Sequence, residues 1–408
     1  MDFFSFIIII GGSWLLLSTV SVATLKYFNL KNPEIGLGYV MFRTTKINKL
    51  IDTLASRGKI FWQMFFDMGI IVSIGVLLAA VVMFGLNILV FMQKIFTDAG
   101  VITPDPGSTP TPINVTPAIP GLTISIEILP YFFIAILIAA ALHELSHGIA
   151  ARVAGIELKS TGLIFFLIFF AAFVEPDEES LKKSPVRGRL RVYASGALAN
   201  VLVFLLLLIL LLPPVFQLQI TLFAETTPSG AMLVDVVSES PAYEAGLRPN
   251  SVITGIYNGT VEEQLITIND AQAFHDFAIT TIPSQLVTIQ FLDKENLVLV
   301  LETNPENTTI GYFGVRVSDF FAPKFSFLPR DSYRIYLNLL VYTAGISLML
   351  ALFNLLPVPP FDGSKLVEDY LAEKGAPKKV ARIIQLGSVV ILLGNLVLTF
   401  LVDGLVVM

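Results

Sequence analysis

Hydrophobic residues fall into six long runs, at about 3–25, 62–97, 123–155, 192–213, 333–356 and 383–408. Each approaches or exceeds the ~20 residues that a helix needs to cross a bilayer, so each predicts a transmembrane helix. The polar connections alternate in charge. Segments 26–61, 178–191 and 365–382 are rich in Lys and Arg, including Lys46, Arg187, Arg189, Arg191 and Lys365. The intervening connections are a Pro/Thr-rich linker (98–122) without Lys or Arg, and a long insert (214–330). Cytoplasmic loops carry the excess of Lys and Arg. The three basic segments therefore face the cytoplasm, and six spans put both termini and the insert outside. The first run starts Met1-Asp2, with no positive charge and no small-residue cleavage site, so it reads as an anchor.

Two apolar stretches break the pattern. Residues 157–176 are short and lie between two points already assigned to the inside, so they cannot cross. They predict a re-entrant hairpin or strand pair, because non-helical backbone at membrane depth is tolerated where protein or water covers it. The second, NLLPVPPFDG at 354–363, has three prolines that end the fifth span. The insert is different material. Its alternating runs AMLVDVV, QLVTIQF and LVLVLE, the Asn258-Gly259 turn and one helical stretch, NDAQAFHDFAIT, predict a soluble β-rich domain at about 224–320. The fold class is a polytopic α-helical membrane protein of about six transmembrane helices with a re-entrant β hairpin. One β-rich soluble domain is inserted. The organisation is 1–213, 214–330 and 331–408.

Composition agrees. The 408 residues are 54% hydrophobic and 14% charged, against about 25% charged in soluble domains. The net charge of −6, spread along the chain, argues against a nucleic-acid partner. There are no cysteines, which excludes disulfides and thiolate ligands; a transition metal must sit on His and carboxylate.

The third span contains ALHELSHGIAARVAG (141–155). His143 and His147 are four apart, one turn along one helix face, with Glu144 beside the first. This His-Glu-x-x-His spacing suits two imidazole ligands of one zinc, with the Glu as general base. Ionisable groups inside a span are costly, which favours a functional reading over a polar helix end. A catalytic zinc usually keeps three protein ligands. The third histidine, His275, lies in the insert, where a surface or groove position is expected. The third ligand is therefore a carboxylate, from Glu175, Asp177, Glu178, Glu179 or Asp362. Asp362 is favoured, because it follows a span that also runs inward and so ends at the depth of the histidines. The cluster from Glu175 to Glu179 is the rival, with a solvated acidic run as the plain reading of its last three members.

The elements His143-Glu144-Leu145-Ser146-His147-Gly148, FVEPDEE (173–179), Gly196 and Asn200 in ASGALAN, and NLLPVPPFDG together resemble the site-2 protease family of intramembrane metalloproteases. Phe361 stands where that family usually has Leu before Asp-Gly. The resemblance implies that His143, His147 and Asp362 bind Zn2+ and that Glu144 activates water. It supports Asn200 as a donor to the oxyanion, the alternative being an interhelical hydrogen bond. It also implies a PDZ-like domain, matched by SPAYEAGL (240–247); Asn250-Ser251 departs from the Gly-Asp common there. The implied activity is hydrolysis of peptide bonds in or near transmembrane segments of membrane-protein substrates. The PDZ-like domain would bind substrate ectodomains or C-terminal peptides. Stretch 160–174 would either offer a strand edge to unwound substrate or simply pack. A cell-membrane location, with the site toward the cytoplasm, is expected. The alternatives are a zinc transporter, which leaves Glu144 without a role, and a non-catalytic PDZ-bearing receptor. Sequons at Asn114, Asn258 and Asn307 fall on the predicted outside.

Overall fold

The computed structural model describes residues 34–36, 39–98, 111–119, 123–166, 169–259 and 265–402. The first predicted span, 3–25, and most of the linker 98–122 lie outside the described residues. Among the described residues, five helices are long and apolar enough to cross a membrane, and the other five predicted runs each fall on one of them. The chain divides into two compact units, one of residues 1–208 and 341–408, the other of residues 209–340.

The first unit is helical, with one small sheet. An amphipathic helix α1 (Lys46–Ser56) precedes the long α2 (Lys59–Asp98). Helix α3 (Leu129–Val153) carries the His-Glu-x-x-His run. Pro130 sits in its first turn, where no intrahelical donor is needed. Its end is set by Gly155 at φ 78°. The Gly155 and Ile156 amides donate back to Arg152 O (3.0 Å) and Ala151 O (2.8 Å), a Schellman closure. This reversal feeds the chain into β3 (Leu158–Phe166), which pairs antiparallel with β4 (Phe169–Pro176). Stretch 157–176 thus forms a strand pair.

The sheet has two more strands than that pair. β1 (Glu34–Gly36) and β2 (Tyr39–Thr44) extend it in the order β1-β2-β3-β4. They come from a segment whose basic residues marked it only as a connection. β2 joins β3 in a register running from Thr44↔Thr161 to Tyr39↔Phe166. Arg43 staples the strands, reaching Glu34 (3.2 Å), Ser160 (3.0 Å) and Glu175. Short helix α4 (Glu178–Lys183) follows β4, capped by Asp177, whose carboxylate accepts from Ser180 N (2.8 Å). Helix α5 (Val186–Leu210) then runs back through the apolar core.

In the second unit, α6 (Pro213–Ile220) leads to a sheet ordered β12-β5-β6-β8-β9, with β7 beside β6. Its strands are β5 (Ala231–Val236), β6 (Val252–Tyr257), β7 (Leu265–Thr267), β8 (Leu286–Phe291), β9 (Leu297–Val300) and β12 (Val315–Asp319). The small pair β10 (Glu302–Thr303) and β11 (Gly311–Tyr312) lies apart. Leu233, Ile253, Ile256, Ile289 and Phe313 form the core, which α8 (Ala271–Ala278) joins through Phe274 and Phe277; fully burying such a ring stabilises by roughly 1.5–3 kcal/mol. SPAYEAGL forms the single turn α7 (Pro241–Glu244), with Ser240 accepting from Tyr243 N at 3.3 Å. Asn250 takes φ 69°, in the left-handed region that Asn tolerates better than most residues other than Gly.

Helix α9 (Ser332–Leu355) ends at the proline run. Short-range bonds from Val358 N to Leu356 O (2.7 Å) and Phe361 N to Val358 O (2.8 Å) fold the backbone compactly. Helix α10 (Asp362–Glu373) begins at once, followed by α11 (Lys378–Val402). Gly363 permits that reversal: a Cβ there would lie 2.0 Å from Leu355 O. Arg189 pairs with Asp369 at 2.6 Å and ties α10 to α5.

Candidate metal centre

His143 and His147 project from the buried C-terminal half of α3. Their Nε2 atoms are 3.0 Å apart. The turn after α9 brings Asp362, 215 residues beyond His147, to them: its Oδ2 lies 3.0 Å from His147 Nε2 and 3.3 Å from His143 Nε2. Three ligand atoms therefore converge from two elements. Ligands about 2.0–2.1 Å from one tetrahedral zinc stand about 3.3 Å from each other. The observed separations fit that donor set. A carboxylate oxygen of Glu144 also lies within 4.8 Å of an imidazole nitrogen of each histidine. Asp362 is the closer carboxylate, which leaves Glu144 beside the site.

Glu144 is held by the sheet. Its Oε2 accepts from Val174 N at 2.9 Å. Among the described strands β4 is at the edge of its sheet, and this amide is taken by Glu144. A cavity of about 630 Å³ opens on the site, lined by Glu144, Val174, Asn354, Phe361 and Asp362 among others. A larger, mainly apolar one of about 870 Å³ shares Arg43, Glu144, Phe173 and Val174 with it.

Helix α5 backs the histidines. His147 Nδ1 lies 2.7 Å from Val192 O and 3.2 Å from Ser195 Oγ, whose own proton goes to Val192 O at 2.7 Å. Both neighbours act as acceptors, so Nδ1 carries the proton and Nε2 keeps its lone pair for a metal. Gly196 faces the rings, and a Cβ there would sit 2.5 Å from both Nε2 atoms. Asn200, fully buried, places its amide nitrogen 3.2 Å from His143 Nδ1.

The rival carboxylates are engaged elsewhere. Glu175 binds Ser160 and Arg43, and the Ser160 hydroxyl first, then the guanidinium, hold its carboxyl below the ordinary value. Asp177 caps α4 and pairs with Lys159 at 3.3 Å. Glu178 and Glu179 are exposed and pair with Lys182 and Lys183. His275 lies on α8 in the second unit. Asn354 had no assigned role, although it heads the proline motif. Its amide nitrogen is 3.4 Å from His143 Nε2, the metal-facing atom. Its place in NLLPVPPFDG, eight residues before Asp362, was the available signal.

A family model, Peptidase family M50, matches residues 131–395, more than half of the chain. The chain belongs to peptidase family M50. That family comprises membrane metalloproteases of the site-2 protease type. An uncharacterized protein of Methanocaldococcus jannaschii is 32% identical over 252 residues, covering 61% of this chain and 56% of that one. A "Membrane-bound transcription factor site-2 protease homolog" of Arabidopsis thaliana is 29% identical over 138 residues, covering 34% of this chain and 26% of that protein. The matches thus span about half and about a quarter of those relatives. The M50 match contains His143, Glu144, His147, Asn200, Asn354 and Asp362.

Proposed function

We propose that this protein is an intramembrane zinc metalloendopeptidase that cuts transmembrane substrates in or near their spans, as in regulated intramembrane proteolysis. The observation that carries the reading is the convergence of His143 Nε2, His147 Nε2 and Asp362 Oδ2 within 3.0–3.3 Å, with the Glu144 carboxylate alongside. These three residues would hold Zn2+. When bound, the metal supplies Lewis acidity toward the scissile carbonyl and makes water acidic enough to ionise near neutral pH. Glu144 takes the proton of the attacking water and delivers it to the leaving amine. The Val174 amide keeps the carboxylate turned to that task. Asn354, on the metal-facing side of His143, is placed to donate to the oxygen on which charge develops.

Stretch 157–176 serves as a re-entrant element, whose outer β4 edge takes the unwound substrate by strand addition. The β-rich unit acts as a PDZ-like recognition domain. Its groove of about 510 Å³, lined by Phe274 and His275 of α8 and by Gly314 and Val315, suits an extended ectodomain or C-terminal peptide. Edge strand β12 supports this. Charge alternation favours a cell-membrane protein with the site toward the cytoplasm and both termini and the insert outside.

The test is cleavage of a reconstituted single-span substrate by the purified chain and by Glu144→Gln. The variant should retain zinc and lose about 10²–10⁴-fold in rate, the usual worth of a general base. Equal cutting by the two overturns the mechanism. Zinc retained by both His143→Ala and Asp362→Ala overturns the ligand set.

A further inference from the structure

Helix α5 contributes no metal ligand, yet one face of it meets both imidazoles. Val192, Gly196 and Asn200 follow at intervals of four, so they share that face. Val192 O receives the His147 Nδ1 proton, Gly196 leaves room for the rings, and Asn200 meets His143 Nδ1. The tautomer of His147 is thereby set by two acceptors. That of His143 depends on Asn200, the one contact of its Nδ1 among the described residues.

The amide has two orientations. With its nitrogen toward Nδ1, His143 must keep a lone pair on Nδ1 and carry its proton on Nε2, which then cannot be a ligand. The Asn200 oxygen is then buried without a hydrogen-bond partner. Turned over, the oxygen accepts the Nδ1 proton and the Nε2 lone pair faces His147 Nε2 and Asp362. Amide oxygen and nitrogen are interchangeable in shape, and the hydrogen-bond network decides between them.

We propose that Asn200 is a positioning residue: its side-chain oxygen accepts the His143 Nδ1 proton and so selects the tautomer that offers Nε2 to the metal. It does for His143 what the Val192 carbonyl does for His147. This rests on the zinc site argued above and assigns Asn200 away from the oxyanion. The geometry supports that division, since Asn200 is fully buried and bonds the ring nitrogen opposite the metal-facing one, whereas Asn354 lies by Nε2.

Zinc affinity is measured on the full-length chain in detergent by competition with a chromophoric chelator, for the parent, Asn200→Leu and Asn200→Asp. Leucine keeps the branching at Cγ and removes the acceptor; aspartate keeps the acceptor and removes the donor. Zinc binding should weaken about 10–100-fold in Asn200→Leu, the usual effect of losing such an outer partner. Asn200→Asp should bind within about threefold of the parent or more tightly, since a carboxylate raises ligand basicity. Its zinc-saturated kcat should stay within about tenfold of the parent, with KM unchanged. Parental zinc affinity in Asn200→Leu overturns the inference. So does an Asn200→Asp that keeps zinc but loses about 10²–10³-fold in kcat, the mark of a missing oxyanion donor. Because Asn200→Asp is nearly isosteric, it decides the question even where Asn200→Leu fails to fold. A parent that binds no zinc overturns the metal site itself, an outcome distinct from both.

Discussion

Gly196→Ala is the smallest change that should dismantle the site. Its added methyl would stand 2.5 Å from His143 Nε2 and His147 Nε2 and 2.6 Å from His143 Cε1, where ordinary contact begins at 3.4 Å. The shortfall is about 0.9 Å. The rings cannot simply turn aside, because His147 is tied to Val192 O at 2.7 Å and both Nε2 atoms face Asp362. If α5 retreats instead, the Val192–His147 separation grows to about 3.6 Å and the Asn200–His143 separation to about 4.1 Å, beyond hydrogen-bond range. Overpacking of this kind costs about 1–3 kcal/mol. Losing both outer partners, at about 10–100-fold each, should weaken zinc binding by about 10²–10⁴-fold. The assay is chelator competition on the solubilised chain, with circular dichroism to verify that the helices persist. Gly148→Ala is the matched comparison. Its methyl meets the Ile51 Cδ1 tip at 2.8 Å, the end of a flexible side chain, so that variant should bind zinc as the parent does. Parental zinc affinity in Gly196→Ala would refute the argument that α5 must approach the imidazoles this closely.

Two further predictions concern β4. Val174→Pro deletes the amide that holds Glu144 at an edge position, where proline is tolerated. It should lower kcat about 10–150-fold with bound zinc unchanged, a hydrogen bond to a charged group being worth about 1.5–3 kcal/mol; Val174→Ala should behave as the parent, and unchanged turnover in the proline variant removes the positioning role. Glu175 has its carboxyl held below the ordinary range, first by the Ser160 hydroxyl and then by Arg43. Its charged form therefore stabilises the sheet fully above the unfolded value near ~4.3, and the contribution is lost as pH falls through the lower folded value. The melting-temperature gap between the parent and Glu175→Gln should close on acidification from neutral pH; a gap independent of pH down to full protonation contradicts the assignment.

Much of this protein is dictated locally. Span positions follow from run length, because a bilayer rejects unpaired backbone and sets the helix length. The shared face of His143 and His147 follows from the 3.6-residue period alone, and the strand-like character of 157–176 from its length and its flanks. The proline run made Asp362 the favoured third ligand. Its arrival 3.0–3.3 Å from the imidazoles, however, depends on how α9, the turn and α10 pack, with Gly363 against Leu355. The two strands at 34–44 give little signal because they are short, lie in a basic segment, and join the larger sheet only through β2, whose partners on β3 are more than a hundred positions away; no local period announces such a register. The Val174 amide on Glu144 is invisible for the same reason, since a backbone donor has no residue type. Asn200 could be picked out as a polar residue in a greasy helix. Which atom it meets was decided by the close approach of α5 to the rings, which Gly196 allows and which exists only once the helices have packed.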